Sequence, residues 1–498
     1  MSKVVIIGSG LGGLSCGYIL QKNGYDVTVL EQGVQVGGCL QCFVRRGAKF
    51  ETGMHFIGSA DKGQTMDRIF NFLDIKDKVG LSPLDTSAYN TISLAGDEFA
   101  IPNGRESFHD ALSSYFPHES DALKKYLDII DRISSASSLN SLTSAYRDVA
   151  ANTEYQLRTI NEVLDELFTD EQLKNVLVGD LSLYCAEYDK TPFAQHAFIM
   201  DFYNQSAYRI AGGSDSIALS LVRNIEELGG SVLSRKKVVR IKCDDTKAVG
   251  VETEDEQFYQ ADYVISAIHP NRMLEMLDTK MIRPAFRTRI NSIPQTPGIF
   301  AVYVKFKENA MPYMNTNYYG YSGKSPWGCE HYTSLDWPKG YLYMHMCHED
   351  KAVWAKSGVV FSYMNMEDVI KWKGTRIGRR GEDYEAFKKL HAELLIHEVE
   401  KQHPGFASSI ECYYTSTPLT YFDYTGTEGG SMYGVAKDVN LGPAGRVPYR
   451  IKVPNILLAG QNVNSHGMLG VMVGTIVTCS ELVSADRIYK QIDESNHR

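Results

Sequence analysis

Long apolar runs are missing from this sequence. None approaches the roughly 18 residues needed to span a bilayer, so a membrane-spanning helix is not expected and only contact at a membrane surface stays open. Cysteine is sparse: nine residues scattered over 498 make no disulfide framework. The apolar stretch Val4 to Ile7 is far too short for the core of a signal peptide and runs straight into glycines. Both features point to a reducing, cytoplasmic setting. Positive charge is also in deficit, 51 Lys and Arg against 60 Asp and Glu for a net charge of -9. With no recognisable nucleic-acid module either, nucleic acid is not expected as a partner. Internal repeats and low-complexity tracts are absent. What remains is the composition of a globular protein, 43% hydrophobic and 22% charged, on a chain long enough for two domains.

The first stretch with chemistry in it is VVIIGSGLGGLSCGYILQKNGYDVTVLE, from Val4 to Glu31. Gly8, Gly10 and Gly13 give GxGxxG directly after a predicted strand, where a backbone must turn sharply and approach a pyrophosphate without a Cβ in the way. A helix follows, stopped by Asn23-Gly24, and its N-terminus suits phosphate oxygens. Val27, Val29 and Leu30 make a second strand, and Glu31 stands at its end, where a carboxylate accepts the hydroxyls of an adenosine ribose. NAD and FAD share all of this. Gly37 and Gly38, which follow Glu31 after a five-residue gap, let the chain fold back across the phosphates. The whole run resembles the dinucleotide-binding signature of FAD-dependent amine oxidases and phytoene desaturases, which favours FAD.

Two later stretches repeat the same physics. From Ala211 a turn leads to a helix ending at Gly229-Gly230, then to a hairpin or meander around Asp244-Asp245, and Val264-Ile265 is expected to return to the parallel sheet. Near the C-terminus a strand from Ile456 to Ala459 enters a glycine-rich turn and a long helix from about Gly470. The cofactor domain is therefore expected in three pieces, 1–75, 208–290 and 445–498. The insertions 76–207 and 291–444 would form the substrate domain. The first looks largely helical, with Ala122 to Ile133 and Glu162 to Phe168 periodic in apolar residues, and the second opens on the alternating strand GIFAVYVKF. The expected fold is α/β: a discontinuous Rossmann-like FAD-binding domain plus an α+β substrate domain with a mixed sheet.

The blocks ETGMHFIG, GGSDSIA, STPLTYFDYTGTEGGSMYG and LLAGQNVNSHGMLGVMVG resemble, in order and over nearly the whole chain, the phytoene desaturase, carotenoid isomerase and retinol saturase flavoproteins. ETGMHFIG is closest to the retinol saturase branch. The resemblance implies FAD held by Gly8, Gly10, Leu11, Gly12 and Gly13 at the first turn, by Glu31 and Gln32, and by Gly37, Gly38 and Cys39. It also implicates His55, the backbone near Val238, and Gly460, Gln461, Asn462, Gly470 and Val471. A tunnel through the substrate domain would bring a long apolar polyene to the flavin. Two departures stand out. Asn464 to Gly470 replaces the Gly- and Pro-rich segment of many relatives, and Gln461 stands where amine oxidases have an acid.

These features predict an FAD-dependent oxidoreductase that saturates or desaturates a carbon–carbon bond of an apolar, isoprenoid-like molecule. Its rivals are a non-redox polyene isomerase, a flavin-containing lipid-binding protein and an amine oxidase. No second GxGxxG appears, so electrons come from or go to an external partner that the sequence does not identify. Oligomeric state is equally unmarked. His55, Tyr433 and His466 are the candidates for moving the proton that accompanies the hydride, although a turn histidine such as His466 is ordinarily solvated. The row Tyr313, Tyr318, Tyr319, Tyr321, Trp327, Tyr332, Trp337, Tyr341 and Tyr343 could steady cationic character at a reacting alkene, but packing between strands is the commoner use. Cys39 and Cys42 form CxxC at the flavin glycines, where neither a zinc site nor a redox pair is expected. Arg379 and Arg380 read as a solvated helix entry, with anionic lipid heads as the minority alternative.

Overall fold

Four consecutive buried residues, Val4 to Ile7, need apolar cover on both faces, and they obtain it as a central strand. In the computed structural model, which describes residues 1–137, 142 and 149–497, Lys3–Ile7 pairs in parallel with Asp26–Leu30 on one side and Tyr263–Ser266 on the other. Ser231–Leu233 and Ile456–Leu458 extend the two edges, giving a five-stranded, all-parallel sheet drawn from three distant stretches of chain. Alternate residues of the central strand serve different layers. Val4 and Ile6 join the core beneath the helices, while Val5 and Ile7 join a second core with Val238, Ile241 and Val251. The helix Leu11–Lys22 packs between Asp215–Glu227 and Gly467–Ser480. On the other face lies a four-stranded sheet that includes the anticipated antiparallel pair Val238–Cys243 and Ala248–Thr253.

The remainder is built on a mixed sheet of seven strands in the order Ile410–Ser416, Gly298–Phe306, Ser357–Met364, Gly340–His345, Asn317–Tyr321, Asn90–Leu94 and Asp97–Ile101. All neighbours are antiparallel except Asn317–Tyr321 and Asn90–Leu94. The first insertion is thus less purely helical than its periodicity suggests. It opens with Gly80–Pro83, Asn90–Leu94 and Asp97–Ile101, and only then come the helices, from Arg105–Tyr115 to Phe193–Gln205. The strand NTISL is too short to declare itself, and besides its neighbour Asp97–Ile101 it takes a partner, Asn317–Tyr321, from the distant second insertion. The anticipated helices are present as Ser120–Ser135 and Ile160–Leu167, the latter started by a capping box in which Thr159 and Glu162 satisfy each other's N–H groups.

One face of the seven-stranded sheet packs under the helix Glu382–Gln402, with Phe300, Val302, Val360 and Tyr343 against Leu395 and Val399. The other face looks toward the parallel sheet and bounds the site described next. Among the described residues no helix is long and apolar enough to cross a membrane. The fold is α/β, a Rossmann-like sheet assembled from separated segments beside an α+β portion with a mixed sheet.

Candidate functional site

At the carboxyl end of the central strand the chain turns through Gly8, whose φ of +97° is one that side chains rarely adopt. A Cβ on Gly13 would lie 2.0 Å from the carbonyl oxygen of Gly8, so only glycine lets the helix sit this close to the strand. Gly10 differs: a Cβ there meets nothing within 4 Å. Open space above a backbone turn, at the N-terminus of a 12-residue helix with no side-chain cap, is a cradle that fits a pyrophosphate. Glu31 ends the second strand with its carboxylate held from two sides. Oε2 accepts from Ser9 N at 3.0 Å and Ser9 Oγ at 2.6 Å, and Oε1 accepts from Gly33 N at 2.6 Å. Ser9 also ties in the glycine pair, since Gly37 N donates to its carbonyl at 3.0 Å. Ser9 was not anticipated; the small polar residue inside the glycine motif is the only signal it leaves in the sequence.

The C-terminal stretch closes on the same turn. A Cβ on Gly12 would lie 2.9 Å from Gly460 Cα, so two glycine backbones meet there. The helix Gly467–Ser480 begins beside them with no side-chain cap, leaving its first N–H groups facing the site. A cavity of about 1290 Å³ opens between these elements. All the cofactor-holding residues anticipated from sequence line it except Gly13, whose part is packing. Gly8, Gly10, Glu31 and the backbone near Val238 could hold the adenosine diphosphate portion of FAD, and Gly38, Gly460, Gln461 and Gly470 the rest.

The cavity continues onto the seven-stranded sheet. Ala301, Phe361 and Leu342 form one row across three strands, and Tyr303, Val359 and Met344 form the next. The aromatic row between residues 313 and 343 does not take part. None of its nine rings lines the cavity; in Gly340–His345, Leu342 and Met344 face the cavity while Tyr341 and Tyr343 turn to the opposite core. Two-residue alternation decides this in favour of packing between strands, the commoner use, and leaves these rings no part in steadying a cation at the site. The rings that do line the cavity, among them Phe202, Tyr203, Tyr303, Phe361, Tyr421 and Tyr433, come from several elements.

The three proton-handling candidates all reach the cavity. His55 is buried, with Nδ1 3.5 Å from Glu51 Oε2 and no hydrogen bond of good geometry at that nitrogen. Its carbonyl accepts from Arg209 at 3.5 Å. Arg209 is itself 1% exposed and also donates to Thr316 O at 3.1 Å. Neither Glu51 nor Arg209 was singled out from sequence, since their value lies in what they support. His466 is not solvated as expected for a turn histidine. It is 6% exposed, stacks on Tyr433 with centroids 4.3 Å apart, and receives Gln195 Nε2 at 3.5 Å. Burial, with the Lys437 charge adding to it, pulls its imidazole down to about 3, so it is neutral at ordinary pH. Burial drives the Tyr433 phenol well up.

Two further expectations change. Arg379 is exposed as anticipated, but Arg380 is anchored: its guanidinium pairs with Asp423 and donates to Trp372 O at 2.9 Å, with only 6% of the side chain exposed. The lipid-head alternative therefore loses one of its two charges. Cys39 lines the cavity and Cys42 lies 3.6 Å from Ser214 Oγ. Burial first, then the Glu51 charge, pushes the Cys42 thiol up to about 12, the opposite of a reactive thiolate.

A family model described as flavin-containing amine oxidoreductase matches residues 11–472. All-trans-retinol 13,14-reductase of Rattus norvegicus is 26% identical over 533 residues, covering 98% of this chain and 86% of the relative. Prolycopene isomerase 1 of an Oncidium hybrid cultivar, a chloroplastic protein, is 24% identical and covers 97% of this chain and 84% of its own length. Among solved structures, cyclohexylamine oxidase from Brevibacterium oxydans superposes with a TM-score of 0.61 at 14% identity, over 99% of both chains.

Proposed function

The chain belongs to the flavin-containing amine oxidoreductase family, and from that premise we propose that it adds hydrogen across a carbon–carbon double bond of an apolar, isoprenoid-like polyene, using FAD. The observation that carries this is the continuity of the cavity: one space joins the glycine turn and Glu31 to the apolar rows on the mixed sheet. Saturation is the favoured direction because the full-length relatives include proteins named as retinol reductases. Residues 1–75, 208–290 and 445–498 are read as the cofactor domain, supported by the three-piece parallel sheet. Nine free cysteines support a cytoplasmic setting, with contact at a membrane surface kept as part of the proposal.

Bound FAD supplies two-electron hydride chemistry at its N5. The chain's own residues do the rest. Ser9 fixes the Glu31 carboxylate, which would accept the ribose hydroxyls, and the glycine turn would admit the phosphates. The apolar rows exclude water from the reacting carbons. His55, with Glu51 Oε2 3.5 Å from its Nδ1 and Arg209 holding its backbone, is best placed to handle the accompanying proton, because it reaches the cavity from an anchored backbone. Neutral His466 and Tyr433, stacked on one another, form a flat part of the wall of the same cavity.

Anaerobic reduction of the purified protein, followed by retinoids and carotenoids, tests the reading. Flavin reoxidation with a product two hydrogens heavier is expected. A flavin that no alkene reoxidises overturns it. A second reading, polyene isomerisation, is supported by the relatives named as prolycopene isomerases, and product of unchanged mass would select it. Peroxide formed with amines would select an amine oxidase.

A further inference from the structure

Most ionisable groups on the cavity wall have partners. Lys236 pairs with Asp255 at 2.5 Å, Lys237 with Glu254 at 2.9 Å, Arg272 with Glu275 at 3.0 Å, and Asp423 with Arg380. Lys437 has none among the described residues: no carboxylate lies within ion-pair distance of its Nζ, and no hydrogen bond takes it up. Its loop is nonetheless pinned, with Ala436 N donating to Pro294 O and Val439 N to Lys190 O, both at 2.9 Å. The adjacent acid, Asp438, also lines the cavity, but its Oδ1 caps Asn440 N at 2.8 Å and it makes no ion pair with Lys437 among the described residues. Lys190 is occupied by Glu187 at 2.5 Å. The charged and titratable groups that do face Lys437 are Arg446, exposed at the rim, and His466, buried beside Gln195. Neither can compensate a cation.

An uncompensated ammonium in a largely apolar wall is costly. Burial, with Arg446 second, pulls it down to about 8, so it still carries charge at neutral pH. Ile199, Met432 and Leu469 line the same cavity. We propose that Lys437, with Arg446 at the rim, receives the carboxylate of an apolar, unsaturated acid, so that the substrate is an amphiphile with an anionic head. The inference rests on the reading of the cavity as FAD beside an apolar substrate. The cofactor's phosphates already have the glycine turn and the helix N-terminus at Leu11, which leaves the Lys437 charge for another anion.

The test is a fluorescence titration of the FAD-loaded protein with cis-parinaric acid and with its methyl ester. The acid is expected to bind about tenfold tighter at pH 7, the size of one charge-assisted hydrogen bond. Lys437→Met should abolish that preference, leave ester binding and flavin content unchanged, and Lys437→Arg should keep it. In the wild type the preference should fade as the pH passes above about 8, whereas in Lys437→Arg it should persist. That pH comparison tests the inference even if Lys437→Met fails to fold. An acid preference that survives Lys437→Met overturns the inference, and so does loss of FAD from that variant, which would assign the lysine to the cofactor. Equal binding of acid and ester by the wild type overturns it while leaving the apolar-site reading intact. Binding of neither, with flavin retained, overturns both.

Discussion

Glycines in one motif do different physical work, and substitution separates them. An alanine methyl at Gly10 meets no protein atom within 4 Å, and the backbone there, at φ -65°, accepts it. Gly10→Ala is expected to fold normally and to purify with far less FAD. At Gly13 the same methyl lies 2.0 Å from a backbone oxygen that cannot step aside. Gly13→Ala should therefore lower the stability of the apoprotein by about 3 kcal/mol or more. Thermal unfolding without flavin, together with the flavin absorbance after purification, reads both; equal behaviour of the two variants would contradict the assignment. The GxGxxG spacing announces these positions in the sequence, and Glu31 with them. Ser9 is silent there, because its role depends on where the second strand carries Glu31.

At the level of elements, the strand Gly340–His345 shows how far a pattern can be read. Its alternation identifies a strand but not which face meets the site. Leu342→Trp is expected to fill the cavity, abolishing the polyene-driven change in the flavin spectrum while flavin content holds. Tyr341→Phe, one residue away, should leave that response intact. Its hydroxyl is buried without a partner, so removing it should be neutral or stabilising by about 1 kcal/mol. A loss of response in Tyr341→Phe, or an unchanged one in Leu342→Trp, would reverse the two faces. The altered segment Asn464 to Gly470 was legible as a departure, yet the burial of His466 within it was not. That burial comes from Tyr433 and Gln195, which are contributed by other parts of the chain.

Across the whole molecule, a buried acid lies where the first insertion meets the mixed sheet. Asp180 sits among phenols that include Tyr89, Tyr126, Tyr184, Tyr319 and Tyr321, and its Oδ1 has no partner. Next to it, Tyr321 donates to Gly179 O at 2.7 Å. Burial raises the Asp180 carboxyl from 3.8 to about 7, so the folded protein holds the proton that the unfolded chain releases. The sign follows directly. Its contribution to stability is fullest below pH 3.8 and is lost as the pH climbs through about 7, on the order of 4 kcal/mol at most. Asp180→Asn, which cannot ionise, should show a shallower fall in melting temperature between pH 5 and pH 8 than the wild type. Identical slopes would show that the carboxyl is already ionised in the fold.

The sequence by itself determined the dinucleotide turn, its acid, the three returning pieces of the parallel sheet and the class of cofactor, because strand, turn and helix there are encoded within about thirty residues of one another. Only the tertiary structure decided which face of the mixed sheet bounds the cavity, why Arg380 is anchored and His466 buried, and that Lys437 stands without a counter-charge. Each of those depends on segments brought together from distant parts of the chain, and local periodicity carries no information about the partner across the gap.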